Sequence, residues 1–152
     1  MLKVGGKAPD FVAVDHKGRK VSLKDYFGKK LVLYFYVRDS TPGCTLETID
    51  FSRNYGKFRK ASVDVAGICI GNAETHKKFA DHCGAPFRLI VDEDAKIAKK
   101  FGLWKMKTFM GRKYKGIVRT TFIISEDGKI LKIFPRVKVA GHWKEILQSL
   151  HE

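Results

Sequence analysis

Leu31-Val32-Leu33-Tyr34-Phe35-Tyr36-Val37, followed shortly by Thr41-Pro42-Gly43-Cys44-Thr45, is the stretch on which the reading of this chain turns. The first segment is apolar or aromatic throughout, the pattern of a strand covered by helices on both faces. Pro42 and Gly43 interrupt it, and proline near a helix start gives up only a donor that has no partner there. Leu46, Ile49, Phe51, Tyr55 and Phe58 then recur near helical spacing. Cys44 is therefore expected in the first turn of a helix, at the C-terminal end of a buried strand. The unpaired N–H groups of such a turn favour negative charge and bias a thiol toward thiolate, its nucleophilic form. The alternative is a small buried hydrophobe, the common role of a free cysteine. Hydroxyls at Thr41 and Thr45, on either side of the sulfur, argue for chemistry over packing.

Working outward, residues 10–21 read as a β-hairpin turning at His16-Lys17-Gly18-Arg19. Residues 22–27 form a short turn or helix. A helix is expected over residues 41–58, a second buried strand over 63–70, and a helix over 72–82 stopped by Gly84 and Pro86. A brief strand at 89–91 precedes a helix at 93–101. Residues 102–116 read as a long irregular segment. Residues 117–125 and 129–135 form a hairpin across Glu126-Asp127-Gly128, and a closing helix spans 141–150. The order is βαβ units followed by a hairpin and a helix. It predicts an α/β fold of the thioredoxin-like plan, a mixed central sheet flanked by helices with an N-terminal β-hairpin extension. With 152 residues, one domain spanning 1–152 is expected.

No apolar run reaches membrane-spanning length, and Met1-Leu2-Lys3-Val4-Gly5-Gly6 has no signal-peptide stretch, so a cytoplasmic location and no membrane partner are expected. Three cysteines, with no C-x-x-C pair, argue against a structural disulfide framework or a thioredoxin-type dithiol. His16, His76, His82, His142 and His151 have no metal-ligand spacing with the cysteines, so neither metal nor organic cofactor is expected. Formal net charge is +14. Residues 95–125 hold no acidic side chain while carrying Lys96, Lys99, Lys100, Lys105, Lys107, Arg112, Lys113, Lys115 and Arg119. Such a stretch is either a solvated face or a docking surface for an anionic partner.

The run from Tyr34 through Arg38-Asp39-Ser40-Thr41-Pro42-Gly43-Cys44-Thr45-Leu46-Glu47 resembles the active-site segment of peroxiredoxins of the PrxQ, or bacterioferritin comigratory protein, subfamily. Phe11, Gly67-Ile68, Arg119-Thr120-Thr121-Phe122 and Gly141-His142 extend the resemblance over nearly the whole chain. One departure is Val37, where the family motif has a proline. The resemblance implies a thiol peroxidase that reduces hydrogen peroxide and organic hydroperoxides. Cys44 matches the peroxidatic nucleophile, and Thr41 the threonine whose hydroxyl contacts the peroxide. Arg119 matches the arginine facing the thiolate, and Glu47 a family position one turn into the helix that orients the arginine or a backbone group. Pro42 and Gly43 would line the substrate pocket, with the Gly43 and Cys44 N–H groups completing it. Each of these has a plainer alternative: an N-cap for Thr41, a strand-end surface charge for Arg119, an ordinary first-turn carboxylate for Glu47.

A free thiol with a pKa near ~8.5 is about 3% ionised at pH 7, so full ionisation gives roughly 30-fold, about 2 kcal/mol of barrier. The remaining acceleration must come from donors aimed at the peroxide oxygens, each worth about 10²–10³ in rate. Attack leaves a sulfenic acid on Cys44, which needs a second thiol. Many relatives place it five residues after the nucleophile, where this chain has Ile49. Cys83, late on the helix after the second strand, is the candidate resolving cysteine; the alternative is a one-Cys enzyme in which Cys83 is packing. Cys69 reads as core. A thioredoxin-like or other thiol reductant would recycle the enzyme, docking on the basic 95–125 stretch, and a monomer is the expected state. The competing reading is a basic nucleic-acid-binding or chaperone-like module on the same fold. Phe101, Trp104, Phe109 and Tyr114 interleaved with the lysines favour it. A pure binding module would not need Thr41, Cys44 and Arg119 together, so nucleic acid is not the expected partner.

Overall fold

The computed structural model describes residues 2–150. Nine strands and five α-helices are present among them. Strand β3 (Lys30–Phe35) is the expected buried strand, and it pairs in parallel with β4 (Val63–Cys69), which pairs in parallel with β5 (Leu89–Val91). β1 (Val12–Asp15) and β2 (Lys20–Ser22) form the N-terminal hairpin and add antiparallel beyond β5. On the other side β8 (Thr120–Ile124) runs antiparallel to β3 and carries β9 (Ile130–Phe134) at its edge. The sheet order is β2-β1-β5-β4-β3-β8-β9, the mixed sheet expected from the sequence.

The period of two along each strand sorts the core into two halves. Leu31, Leu33 and Phe35 of β3 and Phe122 of β8 face one side, where α4 (Lys96–Lys100) packs through Ile97 and Ala98. Val32, Tyr34 and Tyr36 face the other side. There α1 (Pro42–Arg53), α2 (Tyr55–Lys60), α3 (Ala73–Cys83) and α5 (His142–Leu150) bring Phe51, Phe58, Phe79 and Ile146. Each of these large side chains is buried, contributing about 2–3 kcal/mol of transfer free energy before entropy is counted. Tyr34 stacks on Phe51, with ring centroids 4.8 Å apart, and its hydroxyl lies 3.0 Å from the Thr48 Oγ1. The ring fits because residue 67 is glycine: a Cβ there would stand 2.7 Å from the Tyr34 Cζ.

Two expectations need correction. The helix read over residues 41–58 is two helices, broken at Asn54, whose side chain donates to the Asp50 carbonyl. Residues 102–116 are not irregular. They form most of a hairpin, β6 (Trp104–Phe109) against β7 (Arg112–Ile117), in a two-stranded sheet of their own. The turn is Met110-Gly111, with φ of 50° and 79°. Positive φ at both central residues is what a tight hairpin turn demands, and Asn-Gly or Asp-Gly is its usual signal. Methionine in the first place hid it. Ile117 ends this hairpin instead of opening β8, so residues 118–119 form the link between the two.

Candidate active site

Cys44 lies where the sequence puts it, third in α1 behind the N-cap Thr41, with Pro42 and Gly43 between. It is fully buried, at the C-terminal end of β3. The Thr41 carbonyl accepts the Thr45 N–H at 2.8 Å and the Thr45 hydroxyl at 2.7 Å, which closes the first turn. The Thr41 side chain does not cap the helix. Its hydroxyl donates to the Arg38 carbonyl at 3.0 Å, so its oxygen lone pairs remain for another donor. The N–H groups of Gly43 and Cys44 have no intrahelical acceptor at a helix start. A turn of Asp39 and Ser40 leads into this segment, with Ser40 at φ 63°, a conformation uncommon for serine. Val37, at the position of the motif proline, sits in a bend at 38% exposure, and the helix start forms behind it.

Arg119 reaches the sulfur from the residue before β8. Its Nη2 donates to the Cys44 Sγ at 2.9 Å and its Nη1 to the Glu47 Oε1 at 2.8 Å. The antiparallel register that pairs Thr120 with Phe35 sets Arg119 level with the end of β3. Gly43 packs beside the guanidinium, where a Cβ would meet Nη2 at an ordinary contact distance of 3.6 Å. Glu47 is 1% exposed, and its Oε2 has no hydrogen-bond partner among the described residues. Burial pushes its carboxyl up to about 7, against the pull of Arg119. The Arg119 pKa is raised: burial lowers it, but Glu47 and Cys44 more than offset that, so the guanidinium stays charged. A fixed guanidinium donor thus faces a sulfur at a helix start, with its other arm on a buried Glu47.

Cys83 ends α3 at 9% exposure, and burial pushes its thiol up to about 11, with Asp39 adding to the rise. It shares a core cluster with Cys44, but the three cysteines are free. The sequence stops the helix at Gly84 and Pro86. The structure has a closed end there: Gly84 at φ 65°, with its own N–H and that of Ala85 returned to the Asp81 and Ala80 carbonyls. Cys69 is buried at the end of β4, and desolvation pushes its thiol well up. Among the described residues no three of His, Cys, Asp and Glu gather as metal ligands. His151 lies outside the described residues.

Sequence reasoning passed over the residues that brace this centre. The His142 Nε2 meets the Thr121 hydroxyl at 2.8 Å, and its Nδ1 lies 3.1 Å from the Glu145 carboxylate. Burial lowers its pKa, so the neutral ring donates through Nδ1 and accepts through Nε2. It therefore ties α5 to the strand that positions Arg119. The one signal for it in the sequence was the Gly141-His142 pair. Asp39 and His76 form a second brace, 2.7 Å apart between Oδ2 and Nδ1, although 37 positions apart in sequence.

The sequence profile of the AhpC/TSA family matches residues 4–133. Peroxiredoxin Bcp of Bacillus subtilis (strain 168) is 40% identical over 151 residues, covering 99% of this chain and 96% of that protein. The bacterioferritin comigratory protein of Xanthomonas campestris, solved in trapped intermediate and ligand complexes that bear on its alkyl peroxide reduction activity, superposes with a TM-score of 0.91. It is 32% identical, and the match covers 99% of this chain and 96% of that one. A mutant PrxQ from Xylella fastidiosa gives a TM-score of 0.94 at 30% identity, again over 99% and 96%.

Proposed function

The chain belongs to the AhpC/TSA family and is a peroxiredoxin of the Bcp type, and on that premise we propose that Cys44 is the thiol that takes oxygen from hydrogen peroxide and organic hydroperoxides. The observation that carries the assignment is the Arg119 fork, with one arm on the Cys44 sulfur and the other on the buried Glu47. The Cys44 thiolate attacks the distal oxygen of ROOH. The S–O bond forms as the O–O bond breaks, and the leaving oxygen takes up a proton and departs as ROH or water. The cysteine is left as sulfenic acid. Arg119, the N–H groups of Gly43 and Cys44 and the Thr41 oxygen surround the place the peroxide would occupy, with Pro42 and Gly43 as its exposed wall. Donors fixed before the reaction stabilise the charge that moves onto the leaving oxygen without reorganising.

Cys83 then attacks the Cys44 sulfenic acid, water leaves, and a thiol reductant of the thioredoxin type returns both cysteines to thiols with two electrons. The basic hairpin supports docking of that reductant. β7 runs into Val118 and Arg119, so the hairpin leaves the sheet at the end where Cys44 lies. Met106 and Tyr114 stand exposed on it at 58% and 46%, beside Lys105, Arg112, Lys113 and Lys115. We take residues 1–152 as one domain acting as a monomer in the cytoplasm, where its thiols stay reduced. No helix among the described residues is long and apolar enough to cross a membrane. The nucleic-acid-binding alternative finds no support in the relatives. The deciding experiment is Cys44→Ser, which should abolish peroxide consumption while circular dichroism and melting stay near the parent. Retention of most of the activity would remove Cys44 from its role.

A further inference from the structure

Asp39 lies five residues before Cys44, in the turn that delivers the nucleophile to its helix. Both of its carboxylate oxygens are engaged: Oδ1 accepts the Tyr36 hydroxyl at 2.7 Å, and Oδ2 faces the His76 Nδ1 at 2.7 Å. His76 sits in the first turn of α3 and is fully buried. Its Nε2 lies 3.1 Å from the carbonyl of Cys69, the last residue of β4, and 3.2 Å from that of Ile90 in the middle of β5. Carbonyl oxygens only accept, so Nε2 carries a proton. The short gap between Nδ1 and a carboxylate needs a proton as well. Asp39 and His76 therefore share a proton across a short, largely buried contact. The chain backbone is fitted to the ring: a Cβ at Gly71 would stand 2.9 Å from the His76 Cε1.

The helix that takes hold of this turn is also the helix that ends in Cys83. His76 and Cys83 are seven residues apart, two turns on one face of α3, with Phe79 and Ala80 between them on that face. In the reduced protein the Cys44 sulfur belongs to Arg119. A disulfide needs Cα atoms within about 7 Å and suitably directed Cβ vectors, and the Cys44 sulfur must leave Arg119 to meet Cys83. Asp39 is the point at which the incoming turn is fastened to α3.

We propose that Asp39 and His76 are positioning residues that latch the Cys44 turn in its peroxide-ready conformation, and that opening this latch gates the step from sulfenic acid to disulfide. The proposal rests on the reading of Cys44 as nucleophile and Cys83 as its partner. While closed, the latch keeps Cys44 against Arg119 for attack on peroxide. After oxidation it sets how long the sulfenic acid waits, and so how often a second peroxide converts it to sulfinic acid.

The test uses the full chain with two substitutions. Asp39→Asn keeps the shape and lets His76 accept from the amide, with the Tyr36 bond retained, so only the proton shared between carboxyl and ring is lost. Asp39→Ala removes the latch. Single-turnover peroxide attack by Asp39→Asn should stay near the parent rate. Cys44–Cys83 disulfide formation, followed by quenched mass spectrometry, should quicken from parent to Asn to Ala. The Ala variant should gain about tenfold, the size of one buried hydrogen bond. Sulfinic acid at high peroxide should decline in the same order. Amide exchange over residues 36–47 of the reduced protein should quicken in that order too, with β3 and β4 unchanged. Unaltered disulfide formation and exchange in the Asn variant would overturn the proposal, as would slower attack with unaltered disulfide formation. If the parent forms no Cys44–Cys83 link, the reading of Cys83 falls, and the exchange measurement, which does not involve Cys83, still decides the latch.

Discussion

Glu47 holds Arg119 by one guanidinium nitrogen, at 2.8 Å, and so leaves the other nitrogen to face sulfur. The carboxylate is 1% exposed and the arginine side chain 17%. Water competes poorly for this contact, and the fork is held in one orientation before any peroxide arrives.

Arg119→Ala should lower single-turnover peroxide reactivity by roughly 10²-fold, the cost of one preorganised donor. Arg119→Lys should recover only part, because an ammonium cannot grip Glu47 and sulfur in one plane. Stopped-flow fluorescence on both variants measures this. Parent rates in both would remove Arg119 from the site.

The Glu47 carboxyl, raised to about 7 by burial, titrates in the working range. Below that value it gains a proton, its hold on Arg119 slackens, and peroxide attack should slow as pH falls through about 7. Glu47→Gln should be slower at high pH and should lack this limb of the profile. The sign for stability is opposite. Between about 4.5 and about 7 the folded chain binds a proton here that the unfolded chain does not. This site's contribution therefore grows as pH falls through that window and is lost as pH rises through about 7. A pH series of denaturant melts on parent and Gln variant reads that difference; identical series would refute it.

Cys83→Ser should leave the first peroxide attack intact, stall repeated turnover with a dithiol reductant, and make Cys44 easier to overoxidise. The Cys83 thiol, pushed up to about 11 in the folded state, is protonated at neutral pH and a slow nucleophile until its helix end opens. Peroxide treatment of the parent should therefore change Trp fluorescence and quicken hydrogen exchange over residues 41–47 and 80–84. Normal turnover by the serine variant, without an intramolecular link in the parent, would make this a one-Cys enzyme.

Turnover supported by an acidic protein reductant should fall as salt rises, because exposed lysines on β6 and β7 are screened over ~8–10 Å near physiological ionic strength. Peroxide attack alone should respond far less. Equal salt dependence of both steps would count against the hairpin as a docking site.

The sequence made the strand into Cys44 and its helix start legible because proline, glycine and the apolar run all act locally. Arg119 was legible only through resemblance: nothing in the spacing of residues 44 and 119 reveals a contact made across the β3–β8 register. The Asp39–His76 brace was invisible for the same reason: it joins residues 37 positions apart. The hairpin at Met110-Gly111 was missed because its turn puts a methionine at positive φ, where propensity argues against one. The Schellman-like close after Cys83 follows from Gly84, yet whether such an end is firm depends on the Ala80 and Asp81 carbonyls, which packing decides.

The reach of Tyr34 from the sheet to Thr48 divides α1 into two mechanical parts. From residue 48 on, the helix is bolted down by that hydroxyl and by Phe51 stacked on the same ring; before it, the hold comes from Arg119, through Cys44 and Glu47. Any peeling that begins at Pro42 meets a stop before two turns are undone. The moving part is then a short flap on a fixed base, and each catalytic cycle disturbs a handful of residues while the aromatic floor beneath them stays assembled. Wear from repeated oxidation and return would fall on the flap, which can refold against an intact template.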